Sequence, residues 1–301
     1  LTPEGGGEQV IGAVEGMVRQ LLVGLDPEVA RRVLGVGVGT GGSVEAATGR
    51  IVGATRLIAN WEGVGLQERL QNDLGMPVRV DNDAKAAARA ELLWGAARTA
   101  RVAIVLTLGT GVGGALTIDG RVLDGARGFA GHLGHIPVRP GGRQCSCGRR
   151  GCLEAYASGR AILLSGRRRW LQSRAADPSQ SRAPTGGPHA QAVEAALPDA
   201  TAVWKAARQG AGWAASVIEE ALTALGVGLQ GLVHAFNPDT IVIGGGLSAW
   251  GEPLREAIEE KLRRRILPAF REGLTVRLAA LGPQAGVVGA AALVLQAAGC
   301  V

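Results

Sequence analysis

The sequence predicts an α/β protein with mostly parallel sheet order. Two observations carry this. Short apolar runs suited to buried strands alternate with stretches of helical periodicity along nearly the whole chain. Two of those runs, within 105–114 and 241–246, end in glycine-rich turns. With 301 residues, 47% of them apolar and 19% charged, the chain has material for one large domain or two lobes with ample core.

The elements follow in order. Residues 8–24 place Val10, Ile11, Val14, Met17, Val18, Leu21 and Leu22 at helical spacing. VLGVGVGT (33–40) reads as a buried strand running into a Gly-rich turn. A helix over 65–75 precedes a short strand, PVRVDND (77–83). The alanine-rich DAKAAARAELLWGAA (83–97) is the next helix, with Asn82 or Asp83 placed to cap it. RVAIVLTLGTGVGGALTIDGRVLDG (101–125) predicts two strands joined by glycines, and a helix begins near Glu154. Residues 171–200 mix Pro, Ser, Gly and Ala with little periodicity and read as a loop or insertion. Strong helical signal returns over 201–236. DTIVIGGGLS (239–248) is a buried strand ending in three glycines. An amphipathic helix (251–270), a strand (274–281) and a closing helix (284–298) complete the chain.

Composition excludes several classes. The net charge is +6, nearly all from arginine, with Lys85, Lys205 and Lys261 the only lysines. The arginines are scattered apart from Arg167–Arg169 and Arg263–Arg265, which reads as solvated surface rather than a nucleic-acid or membrane footprint. Aromatics at 3% are too few for a base-stacking surface. No run of about 18 apolar residues and no signal-peptide pattern is visible.

Three of the four cysteines, Cys145, Cys147 and Cys152, fall within eight residues, and His132 and His135 lie just upstream. Clustered thiols read as a metal site in a reducing compartment, not as a disulfide frame. One imidazole and three thiolates suit tetrahedral Zn²⁺, and four protein ligands leave no position for a water, so the metal is structural. Spacing alone leaves both histidines open as the fourth ligand. Cys300, next to the C-terminus, reads as incidental.

LGTGVGG (108–114) ends a strand in glycines with a hydroxyl at Thr110. Such turns aim backbone N–H groups at a phosphate, although a plain hairpin turn uses the same residues. IGGGL (243–247) reads the same way. In VDNDAKAAA (80–88), Asn82 and Asp83 sit where a strand gives way to a helix, a common seat for active groups in α/β proteins. A carboxylate there serves as general base toward an alcohol, or else only caps the helix.

Taken together these segments resemble the ROK family of bacterial sugar kinases and repressors. GVGVGTGGSVEAATGRI (35–51), VDNDAKAAARAE (80–91), LGTGVGGALTIDGRVLDGARGFAGHLGH (108–135), CSCGRRGCLEAYASG (145–159), NPDTIVIGGGLS (237–248) and LGPQAGVVGAAAL (281–293) resemble its blocks in order. The resemblance implies a two-lobed actin-like ATPase (ribonuclease H-like) fold with a structural zinc site. It places an N-terminal lobe at 1–100 plus 286–301, incomplete at its start, and a C-terminal lobe at 101–285 with the zinc motif and nucleotide loops. It implies ATP-dependent phosphorylation of a hexose, glucose-like or an N-acetylhexosamine, with Mg²⁺ accompanying ATP. Asp83 would be the catalytic base and Asn82 would hold a neighbouring hydroxyl. Glu154 and His135 would reach the sugar. Gly109, Thr110 and Gly111 would face phosphate, and Gly244, Gly245 and Gly246 the adenosine. The zinc ligands would be His135, Cys145, Cys147 and Cys152. The alternative within the family is a transcriptional regulator whose sugar-binding domain this is, with its DNA-binding part outside the chain. These residues contain no helix-turn-helix, so no nucleic acid is expected to bind this chain alone. A cytoplasmic homodimer or homotetramer without membrane contact is the remaining expectation.

Three features depart from the family pattern. The opening D-G-T phosphate loop, which helps hold Mg²⁺, is absent, so the chain reads as a piece whose beginning lies upstream. Where the family has Glu-x-Gly-His, this chain has His132-Leu133-Gly134-His135. That Glu contacts the sugar, so substrate preference is expected to turn on His132. Lys85 replaces the usual Asn, and in LIANWEG (57–63) Asn60 is shifted, so no role is carried onto it.

Overall fold

A computed structural model describes residues 6–53, 58–176, 197 and 199–301. Within them the first helical stretch forms α1 (Gly7–Val23). A single turn, α2 (Pro27–Ala30), follows, started by Pro27 and capped by Asp26, which accepts from Glu28 N. β1 (Val36–Thr40) comes next, then a hairpin of β2 (Ser43–Glu45) and β3 (Arg50–Gly53). α3 (Leu66–Leu74) ends on Gly75 in the left-handed conformation. β4 (Val78–Asn82) passes directly into α4 (Asp83–Trp94). β5 (Val102–Leu108), β6 (Val112–Ile118) and the short β7 (Arg121–Val122) follow, then α5 (Glu154–Ala157) and α6 (Gly159–Ala176).

The predicted loop at 171–200 is therefore helical as far as Ala176; residues 177–196 and 198 of it lie outside the described residues. The helical stretch 201–236 is two helices, α7 (Ala200–Arg208) and α8 (Gly212–Phe236), broken at Gly210 with φ 87°. β8 (Thr240–Gly244), α9 (Glu252–Arg263), β9 (Thr275–Leu278) and α10 (Ala285–Ala297) complete the chain. The amphipathic segment 251–270 stops being regular helix at Arg263 and ends in a short 3₁₀ turn, Pro268–Phe270.

The chain forms two units: residues 1–105, 114–132 and 279–301, and residues 106–113 and 133–278. β1 and β4 pair in parallel in the first unit, with Val36 opposite Val78 and Thr40 opposite Asn82, so both strands end level at the start of α4. Ile11, Val44, Ile51, Trp61, Leu66, Leu70, Val78 and Val80 pack into one core cluster. The alanines of α4 have a steric reason. Ala84, Ala86, Ala87, Ala88 and Ala90 are buried, and α10 lies directly against them. A Cβ on Gly289 would stand 1.7 Å from Ala86 O, so the two helix backbones touch.

The third sheet has the order β7-β6-β5-β8-β9, with β8 and β9 parallel and β6 and β7 antiparallel. The unit boundary runs through β5 and β6, leaving the turn between them in the second unit. α8 is long and apolar enough to cross a membrane by length and composition. Its Val217, Ile218, Ala221, Leu222, Leu225, Leu229 and Val233 are instead buried in the second unit, against α6, α7 and α9, which makes it a core helix.

Candidate functional site

In the first unit, the strand–helix junction resolves which residue caps α4. Asn82 Oδ1 accepts from Ala84 N at 3.0 Å and Lys85 N at 3.3 Å, while its Nδ2 donates to Gly42 O at 3.0 Å. An amide donates and accepts at once in this way, whereas an ionised carboxylate only accepts. Asn82 is therefore the N-cap, and Asp83 is the first helical residue. Its side chain is exposed and takes one backbone bond, from Ala84 N at 2.9 Å.

Beneath it, Lys85 is fully buried. Its Nζ stands 3.1 Å from Asp81 Oδ1, pairs with Asp124 Oδ1 and donates to Gly128 O at 3.3 Å. The lysine thus ties α4 to the loop 124–131 that leads to His132. His132 Nε2 is 2.9 Å from Ser43 Oγ, an interaction the sequence did not signal, because the two residues lie 89 positions apart.

In the second unit, the two Gly-rich turns come together. Gly245, at φ 81°, approaches so closely that a Cβ there would stand 2.5 Å from Leu108 O. Glycine is the residue that tolerates both demands. Gly109 O accepts from Gly159 N at 2.7 Å, at the start of α6. Thr110, Gly245 and Gly246 are exposed, whereas Gly244 is buried at the end of β8. The arrangement presents a run of backbone at the ends of β5 and β8.

Next to it the Cys/His segment folds as a small ribbon. Val138 N bonds Gly151 O and Gly151 N bonds Arg143 O, both at 2.8 Å, with Gly148 and Gly151 at positive φ in its turns. A tetrahedral Zn²⁺ with bonds of about 2.3 Å to sulfur and about 2.0 Å to nitrogen spaces its ligands about 3.8 Å apart for two sulfurs and about 3.6 Å for sulfur and nitrogen. Cys147 Sγ and Cys152 Sγ are 3.7 Å apart, and Cys145 Sγ and His135 Nδ1 are 3.6 Å apart. All four ligand atoms lie within 4.8 Å of one another, so the residues fit the ion. His135 is the histidine of this group; His132 is not in it.

Burial raises the Cys145 thiol, and burial together with its hydrogen bond to Cys147 pushes Cys152 up to about 12. Burial acts upward on Cys147 too. It is outweighed by hydrogen bonds from Arg149 N–H and from the Cys145 and Cys152 thiols, which hold Cys147 below the usual thiol value. A bound cation would lower all three by stabilising the thiolates.

Residues 7–297 match the profile of the ROK family. The chain belongs to the ROK family. It is 36% identical over 265 residues to a glucokinase of Halalkalibacterium halodurans, covering 88% of this chain and 77% of that protein. A crystal structure of a ROK glucokinase from Streptomyces griseus, in complex with glucose and AMPPNP, superposes with a TM-score of 0.81 at 33% identity, covering 98% of this chain and 90% of that one. The family's other branch is represented by a xylose repressor of Caldicellulosiruptor bescii, 32% identical over 270 residues, covering 90% of this chain and 64% of the repressor. The α/β elements described above are therefore those of the ROK fold.

Proposed function

We propose that this chain carries out the ATP-dependent phosphorylation of a hexose, glucose foremost, as a ROK-family glucokinase. The observation that carries the reading is Asp83, an exposed carboxylate at the strand–helix junction, first in the helix that Asn82 caps. Asp83 takes the proton from the sugar hydroxyl as its oxygen attacks the γ-phosphate of ATP. Asn82, His132, His135 and Glu154 hold the remaining hydroxyls, and such positioning supplies most of the rate in phosphoryl transfer. Gly109, Thr110 and Gly111 offer backbone and hydroxyl groups to phosphate, and Gly244, Gly245 and Gly246 line the adenosine.

Mg²⁺ arriving with ATP would supply charge neutralisation on the phosphates. Zn²⁺ held by His135, Cys145, Cys147 and Cys152 is structural. Bound there, it would cross-link the ribbon, and His135 is proposed to reach the sugar as well. The cytoplasm, with its ATP and reduced thiols, suits both groups.

The repressor reading rests on the likeness to the family's second branch. It is the weaker one, because the kinases match at higher identity and a regulator has no use for an exposed catalytic carboxylate at Asp83. The natural full-length protein, incubated with Mg·ATP and a panel of hexoses, is expected to release ADP only when a hexose is present, and Asp83→Asn to slow that release by about 10²–10⁴-fold. Sugar binding without ADP release, for every hexose, would overturn the kinase reading.

A further inference from the structure

Glu154 touches two segments of the second unit at once. Its Oε2 accepts from Val112 N at 3.1 Å, and its Oε1 accepts the Ser146 hydroxyl and lies 3.6 Å from Cys145 Sγ. Val112 closes the Gly-rich turn, whereas Ser146 stands between two cysteines of the metal cluster. The turn is pressed onto the carboxylate: a Cβ on Gly111 would stand 2.6 Å from Oε2. The cluster also sets where Glu154 begins α5, since Cys152 lies two residues earlier and Leu153 N bonds Ile136 O, beside His135, at 3.0 Å.

We propose that Ser146 and Glu154 form a strut through which the metal cluster positions the turn 109–113 for nucleotide phosphate, with Ser146 as the positioning residue. This rests on the reading of that turn as phosphate-binding. A carboxylate has about four acceptor positions; Val112 N–H takes one on Oε2, and Ser146 O–H and the Cys145 thiol lie on Oε1. The rest stay available to a sugar hydroxyl, so the strut and the sugar contact coexist. Removing the Ser146 hydroxyl cuts the link to the cluster and leaves the Val112 bond in place.

The test uses the full-length protein and a non-hydrolysable ATP analogue with Mg²⁺. Ser146 is exposed and is not a metal ligand, so Ser146→Ala is expected to keep its Tm and its metal content. Loss of one hydrogen bond to a carboxylate is expected to weaken analogue binding by about fivefold to tenfold. KM for ATP rises accordingly, while kcat and the KM for sugar move less than about twofold, a split that general destabilisation does not produce. Ser146→Thr, which keeps a hydroxyl, restores binding. Stripping the metal weakens analogue binding in the parent but adds nothing further in Ser146→Ala, because both changes cut the same strut.

Amide hydrogen exchange of 109–113 separates the two ideas. If the analogue gives no protection there, the phosphate-turn reading fails and takes the strut with it. If protection appears in the parent and Ser146→Ala binds the analogue as the parent does, with metal retained, the strut alone is overturned.

Discussion

Replacing Lys85 by methionine keeps an unbranched side chain of similar length and removes the charge. Lys85 is 2% exposed and meets three acceptors, on Asp81, Asp124 and Gly128. Breaking a fully buried ion pair by removing one partner costs about 3–5 kcal/mol, because the other charge is left stranded. Here the stranding is partial. Asp81, 8% exposed, keeps Arg89 Nη2 at 3.1 Å and the Asn82 N–H at 2.8 Å. Asp124 is 49% exposed and regains water. The expected loss is therefore about 2–3 kcal/mol, with Asp124→Ala costing less than about 1 kcal/mol because its charge is already largely screened. Urea unfolding at neutral pH measures the loss, and hydrogen exchange of residues 124–131 localises it to the first unit. Two results would contradict this role for Lys85. One is Lys85→Met within about 0.5 kcal/mol of the parent. The other is Asp124→Ala costing as much as Lys85→Met.

Asp83→Asn is expected to lower kcat by about 10²–10⁴-fold while glucose affinity, measured by calorimetry, stays within about threefold; an equal loss of both would make Asp83 a binding group. Metal analysis of the purified protein is expected to give one Zn²⁺ per chain, lowered by Cys147→Ser and unchanged by Cys300→Ser, since Cys300 lies outside the cluster. Gly289→Ala is expected to lower stability by more than about 2 kcal/mol, because the new Cβ would meet Ala86 O at 1.7 Å and backbone is unable to swing aside as a side chain does. His132→Glu is expected to change the ratio of kcat/KM between glucose and N-acetylglucosamine with little change in KM for ATP; a matched change for both sugars would show that His132 does not discriminate.

Much of this fold is legible in the sequence alone. β1, β4, β5, β8 and α4 follow from apolar runs and helical periodicity, which are local signals. The β2–β3 hairpin escaped because three residues and four residues carry too little pattern; their pairing is a tertiary event, with a bulge at Ser43 and Val44. The end of α6 was hidden because its arginine-rich face, Arg167–Arg169 onward, lacks a clean apolar stripe, and part of it is held from outside the helix, by Glu220 on Arg169. Ser43 and Ser146 were silent: a serine carries no spacing signal, and each gained meaning only from the side chain set beside it.

The α/β class, the Cys-x-Cys…Cys grouping and the seat of Asp83 are each written in residues close along the chain, so local patterning suffices for them. Long-range contacts choose between the alternatives that spacing leaves level. Asn82 is the cap because Gly42 O, forty residues away, holds its amide and turns Oδ1 toward the helix. His135 joins the cysteines and His132 joins Ser43 because the chain parts between them, His132 staying with the first unit and Leu133 onward with the second. Hydrogen bonds and ligand geometry act over about 3–4 Å in space. Residues that are remote in sequence meet at such distances only once the chain has folded.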